Sequence, residues 1–169
     1  MKTTGIVRRM DELGRVVIPK EMRRTMHLRE GEELEIFADG DGLFLKKYSA
    51  ISALGPIVHE YARVVSQMLS ADVFVVDTDG VLSSGGAPLD EHTLSTKVSE
   101  IISSRKRRVL ENAAALRAGD VYPYLAVYPV LAHGDLFGAL VVGAKRAFDA
   151  RAEAVMQTAC CLLQKHIGD

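Results

Sequence analysis

The sequence predicts an α+β chain in two parts. A small strand-rich unit covers residues 1–50, a linker covers 51–55, and an antiparallel sheet with flanking helices covers 56–169. Three observations predict this. β-Branched runs punctuated by turn residues fill the first 48 residues. Two stretches with apolar residues spaced by three and four bracket the remainder, the period of an amphipathic helix. Between those stretches lie apolar runs of strand length, separated by Asp-Gly and His-Gly pairs.

The elements follow in chain order. Gly5–Met10 and Arg15–Ile18 read as strands around the turn sequence Asp11-Glu12-Leu13-Gly14. Pro19 suits the first position of a helix, where its missing N–H costs nothing, so Lys20–Met26 reads as about two turns. Leu34 and Ile36 alternate with Glu33 and Glu35, a half-buried strand. Asp39-Gly40-Asp41-Gly42 is a hairpin turn, and Leu43–Tyr48 is its returning strand. A unit of about 48 residues is too small to close a good core alone, so two copies are expected to share one. Gly55-Pro56 marks the start of a helix whose stripe holds Val58, Tyr61, Val65 and Met68, broadened by Ile57, Val64 and Leu69.

Val73–Asp77 reads as a buried strand, Asp79-Gly80 as a turn and Val81–Ser84 as the return, with Ser83–Gly86 also read as a flexible loop. Leu94–Ser104 has a helical pattern. Leu125–Ala132 and Leu136–Ala144 are apolar strands around His133-Gly134-Asp135. The last helix, Asp149–Ile167, presents Ala152, Val155, Met156, Ala159, Leu162, Leu163 and His166 on one face. Two such helices can join those of a second subunit in a four-helix bundle.

The composition, 48% apolar and 25% charged, supports a packed core. Aromatic residues are 6% of the chain and Trp is absent, which argues against a single-strand binder built on stacking platforms. The N-terminus lacks the apolar run of a signal peptide, and no stretch reaches the roughly 18 apolar residues of a membrane helix. The only cysteines, Cys160 and Cys161, are adjacent and form no disulfide framework, so a reduced, cytoplasmic protein with no membrane partner is expected.

Charge is segregated. Residues 1–29 carry eight Lys and Arg against three acids, a net +5, whereas the whole chain is −1. A compact positive patch suits phosphates and counterion release, as at a DNA-binding end. On charge alone the same arginines also suit solvated surface, or pairing with Glu21 and the Glu30–Glu35 run.

The residues themselves carry a resemblance. Thr4–Arg9, Asp11–Pro19, Glu21–Thr25, Leu34–Phe37 and Leu45–Tyr48 closely resemble the AbrB family of bacterial transition-state regulators over about 48 residues. The second part begins Ile51-Ser52-Ala53-Leu54-Gly55 and resembles that of a sporulation regulator within this family, a GAF domain. Gly134–Val142 is similar to the last sheet hairpin of GAF domains. The resemblance implies a swapped-hairpin β-barrel in which two chains interleave strands. It implies double-stranded DNA as partner, contacted by Arg8, Arg15, Arg23 and Arg24, with Arg9 and Lys20 as phosphate contacts beside them. It implies shape-guided recognition and a homotetramer made through helices of the C-terminal domain. It also implies a nucleoid-associated role, as activator or repressor, in the forespore of an endospore former.

No Gly-x-Ser-x-Gly, His-Glu-x-x-His, P-loop or dinucleotide fingerprint is present, so no enzyme is expected. His27, His59, His92, His133 and His166 show no ligand spacing, and neither metal nor cofactor is expected. An unidentified small-molecule ligand of the GAF-like part stays open, as fold-level analogy only. Arg105-Lys106-Arg107-Arg108 reads as an exposed helix end, or alternatively as an anion or second DNA contact. The rival readings are an antitoxin-type protein-interaction module and a GAF ligand sensor in which DNA binding is secondary.

Overall fold

The computed structural model describes residues 5–89 and 93–168. The chain divides between Tyr48 and Ser49 into two units.

In the first unit, residues 5–19 hold a turn at Asp11–Gly14 and form no strand pairing among the described residues. The two strands expected there therefore lack ladder partners in one copy. Helix α1 (Lys20–Thr25) follows, with Pro19 at its N-cap rather than at its first turn. The helix closes with a Schellman motif: His27 takes a φ of 53°, the Leu28 amide donates to the Arg23 carbonyl at 2.8 Å, and the His27 amide donates to Arg24 at 3.3 Å. Strands β1 (Leu34–Asp39) and β2 (Gly42–Lys47) form an antiparallel hairpin in which Asp39 faces Gly42. Gly40, at φ 55°, supplies the positive dihedral that a two-residue loop needs. Glu32 fastens the hairpin base, accepting from the Arg29 amide at 2.8 Å and pairing with Lys47 at 3.2 Å.

Only Pro19 is buried among the described residues of this unit. Val7 is 89% exposed and Val17 73%, and Leu13, Val16, Ile36, Leu43 and the stacked pair Phe37–Phe44 are open as well. The apolar pattern is present, but one copy of the unit does not cover it.

The second unit has a core. Its elements are α2 (Ala50–Ala53), α3 (Pro56–Leu69), β3 (Asp72–Asp77), β4 (Val81–Gly85), α4 (Thr96–Ser103), β5 (Arg108–Ala114), β6 (Val121–Ala132), β7 (Asp135–Ala144) and α5 (Ala150–Gly168). The sheet is antiparallel in the order β4-β3-β7-β6-β5. Successive side chains on a strand point to opposite faces, and here both faces are covered. Val73, Val75, Ala126, Tyr128, Val130, Leu140 and Val142 pack with α3 and α5. Phe74, Val76, Leu125, Val127, Ala139 and Val141 pack with Val98 and Ile102 of α4. Burial on both faces explains why these strands read as unbroken apolar runs.

Three details differ from the sequence expectation. The 51–55 stretch is not a free linker: α2 is capped by the Ser49 hydroxyl, and Ile51 is fully buried in the second unit's core. Ser83–Gly85 is strand rather than loop, with Ser83 buried and its hydroxyl 2.9 Å from His59 Nδ1. The buried face of α3 is Val58, Ala62, Val65 and Ser66, which leaves Ile57, Val64 and Met68 exposed.

Candidate nucleic-acid interface

The six basic residues singled out from the sequence fall in two local groups, all exposed. Arg8, Arg9 and Arg15 flank the Asp11–Gly14 turn. Lys20, Arg23 and Arg24 lie on α1, at spacings of three and four that put them on one face. The Schellman closure fixes where α1 ends, directly after its two arginines.

Asp11 builds the turn. Its Oδ1 accepts from the Leu13 amide at 3.0 Å and the Arg15 amide at 2.8 Å, and its Oδ2 accepts from Arg15 Nε at 2.7 Å. The Asp11 amide donates to the Arg15 carbonyl at 3.1 Å. The hydrogen bonds from the Arg15 amide and guanidinium hold the Asp11 carboxyl below its ordinary range. Asp11 thus orients Arg15 while leaving both terminal nitrogens of its guanidinium without a hydrogen bond to Asp11. Sequence reasoning read Asp11 only as a turn residue. An Asp opening a turn that ends in Gly-Arg is the pattern of a side chain that bonds its own backbone two residues on. Arg8, Arg9, Lys20, Arg23 and Arg24 have no ion-pair partner among the described residues.

Two concave features mark the second unit. A groove of about 670 Å³ lies between α3 and α5, walled by Ile57, Tyr61, Val64, Val155 and Leu162. A cavity of about 750 Å³ opens at the sheet end near Asp72, Tyr122, Lys145, Arg146 and Arg151. There the Tyr122 hydroxyl donates to Asp72 at 2.9 Å. Burial, and then this bond, push the Tyr122 phenol well above its ordinary range. Cys160 sits in the core, its thiol pushed up to about 12 by burial, and Cys161 is exposed. No group of three His, Cys, Asp or Glu among the described residues is placed to hold a metal, and His92 lies outside them. No described helix is long and apolar enough to cross a membrane.

Comparison with known proteins bears on both units. Residues 7–52 match a family described as "Antidote-toxin recognition MazE, bacterial antitoxin", and residues 53–168 match "Stage V sporulation protein T C-terminal, transcription factor". Stage V sporulation protein T of Bacillus subtilis is 44% identical over 155 residues, covering 86% of each chain. The transition state regulatory protein AbrB of the same organism is 60% identical over 48 residues, covering 28% of this chain and 50% of its own. Among solved structures, the GAF domain of an Acinetobacter phosphoenolpyruvate-protein phosphotransferase superposes with a TM-score of 0.54 at 20% identity, covering 72% of this chain and 84% of its own. That likeness establishes the fold of the second unit. The architecture is therefore an AbrB-type N-terminal domain followed by a GAF fold. The chain belongs to the stage V sporulation protein T family, a family of transcription factors rather than enzymes.

Proposed function

We propose that the chain is a duplex-DNA-binding regulator of sporulation genes, acting in the cytoplasm on the nucleoid of the developing forespore. The observation that carries this reading is the set of exposed cations in the first unit. Five of the six have no acidic partner among the described residues, and the sixth, Arg15, is aimed by Asp11. They lie in the segment that is 60% identical to AbrB.

Two copies of the first unit interleave as a swapped-hairpin dimer, pairing the open extended segments and covering Val7, Leu13, Val16 and Val17. The dimer offers Arg8, Arg15, Arg23 and Arg24 twice over, with Arg9 and Lys20 beside them. Phosphate contacts position such a protein, and the adjustable shape of the duplex supplies selectivity. The apolar strip of α3 and α5 joins two dimers into a tetramer. Linking two DNA-binding ends raises apparent affinity through effective concentration. A ligand of the GAF unit would act only through unequal affinity for two states of this assembly.

The test is fluorescence anisotropy of a labelled promoter duplex with the wild type and an Arg8→Ala, Arg15→Ala, Arg23→Ala, Arg24→Ala variant. The wild type binds, and the variant, still folded by circular dichroism, does not. Equal binding by both would overturn the reading. A toxin co-purifying at one-to-one stoichiometry would favour the antitoxin-type alternative.

A further inference from the structure

We infer that Arg105, Lys106, Arg107 and Arg108 form a second contact with the phosphate backbone of duplex DNA, separate from the N-terminal arginines. The inference rests on the DNA-binding reading above.

The structure removes the plainest alternative for this run. Cations stabilise a helix end when they lie in its last turn, and the effect fades beyond it. Helix α4 ends at Ser103 with Ser104 as its cap, and its last turn holds no basic residue. Arg105 leaves the helix in the left-handed region, at φ 58°. Lys106 and Arg107 then lead into edge strand β5, which Arg108 begins. The run therefore lies between the end of α4 and the start of the edge strand, at the rim of the sheet.

All four side chains are exposed, and none has an ion-pair partner among the described residues. The Arg105 guanidinium donates through one nitrogen to the Gly134 carbonyl in the β6–β7 turn, which pins the run to the neighbouring hairpin. The concentration of charge is against the sign of its surroundings. Residues 49–169 hold eleven Lys and Arg against thirteen Asp and Glu, and four of those eleven are consecutive here. General solubility does not call for a local +4 in a net-acidic unit.

The chemistry of the surface selects the partner. A protein interface needs an apolar or aromatic centre that excludes water. Around this run the one exposed large apolar side chain is Val109, with no aromatic residue exposed beside it. A phosphate backbone asks only for mobile cations and rewards them by counterion release. Three arginines add planar forks that suit phosphate oxygens.

The test uses the full-length chain with Arg105→Gln, Lys106→Gln, Arg107→Gln and Arg108→Gln, titrated onto the same duplex at several salt concentrations. If one phosphate contact per chain is lost from a dimer, the slope of log affinity against log salt becomes shallower by about 2, and affinity at 0.1 M salt falls at least about tenfold. The loss is uniform across duplex sequences. A second variant, Lys106→Gln with Arg108→Gln, keeps the Arg105–Gly134 bond and gives a smaller change in the same direction if the quadruple variant misfolds. Equal slopes and affinities for wild type and folded variants would overturn the inference and leave the run to an acidic protein partner. A wild-type chain that binds no duplex would remove the DNA reading itself, and this inference with it.

Discussion

Val17→Ala probes the shared core of the first unit. Val17 is 73% exposed in one copy, on a segment that has no strand partner among the described residues. Were that surface to stay open, shortening it would change stability by less than about 0.5 kcal/mol. In a swapped dimer the side chain is buried. Valine to alanine removes two carbon groups, ~1.6 kcal/mol when fully buried at ~0.8 kcal/mol each. Scaling by the area still open in one copy gives ~1.2 kcal/mol, and a two-fold dimer applies it twice, ~2.4 kcal/mol. At about 1.4 kcal/mol per decade, the N-terminal association weakens ~50-fold. The readout is hydrogen exchange of the backbone amides of residues 6–10 and 16–18, which donate no backbone hydrogen bond among the described residues. Interleaved, these amides are protected in the wild type, and Val17→Ala lowers their protection by ~7-fold, because the dissociated fraction of a dimer follows the square root of its dissociation constant, while leaving β3 and β7 unchanged. Wild-type amides exchanging at unprotected rates at micromolar concentration would refute the shared core.

Three further outcomes follow from the second unit. Gly85→Ala would drive a Cβ into the Ala62 carbonyl of α3, so the helix must lift from β4, lowering stability by about 1–3 kcal/mol in urea denaturation. Tyr122→Phe strips Asp72 of its phenol partner and costs about 1–3 kcal/mol. The raised Tyr122 pKa also gives a pH signature. Its contribution to stability is fully present below about pH 10 and declines at higher pH, as the unfolded phenol ionises and the folded one resists. Urea midpoints measured from pH 8 to 11 show this decline in the wild type and a weaker one in Tyr122→Phe. Leu162→Asp places a charge on the exposed apolar strip of α5, where Leu162 is 46% exposed. Light scattering should then report dimers in place of tetramers, with DNA binding per dimer retained; unchanged mass would remove the α3–α5 interface.

The fold of the second unit was legible wherever periodicity is strong. The β3, β6 and β7 runs, the Gly55-Pro56 helix start and the His133-Gly134 turn all lie where local chemistry puts them, the turn with both residues at positive φ. What escaped depended on tertiary contact. Ile51 looked like part of a linker because one buried residue in a short helix carries no period. Ser83 looked like loop because Ser-Ser-Gly-Gly has loop composition, yet α3 closes over it. The stripe on α3 reads as one wide face, whereas full burial is confined to Val58, Ala62, Val65 and Ser66, with Tyr61 and Leu69 partly buried beside them. In the first unit the strands flanking Asp11–Gly14 were legible as pattern, but a β ladder requires a partner, and the described residues of one chain supply none. The basic residues of the candidate interface could be chosen by charge and resemblance. The role of Asp11 in aiming Arg15 needed geometry, since an acid within a basic segment reads as dilution of charge.

The most direct test of DNA binding by the N-terminal dimer is the salt dependence of wild-type affinity for a promoter duplex. Four arginines per chain in a dimer touch about eight phosphates, so log affinity against log salt should fall with a slope of about −7 or steeper. A slope near zero, or no binding at low salt, would contradict the account.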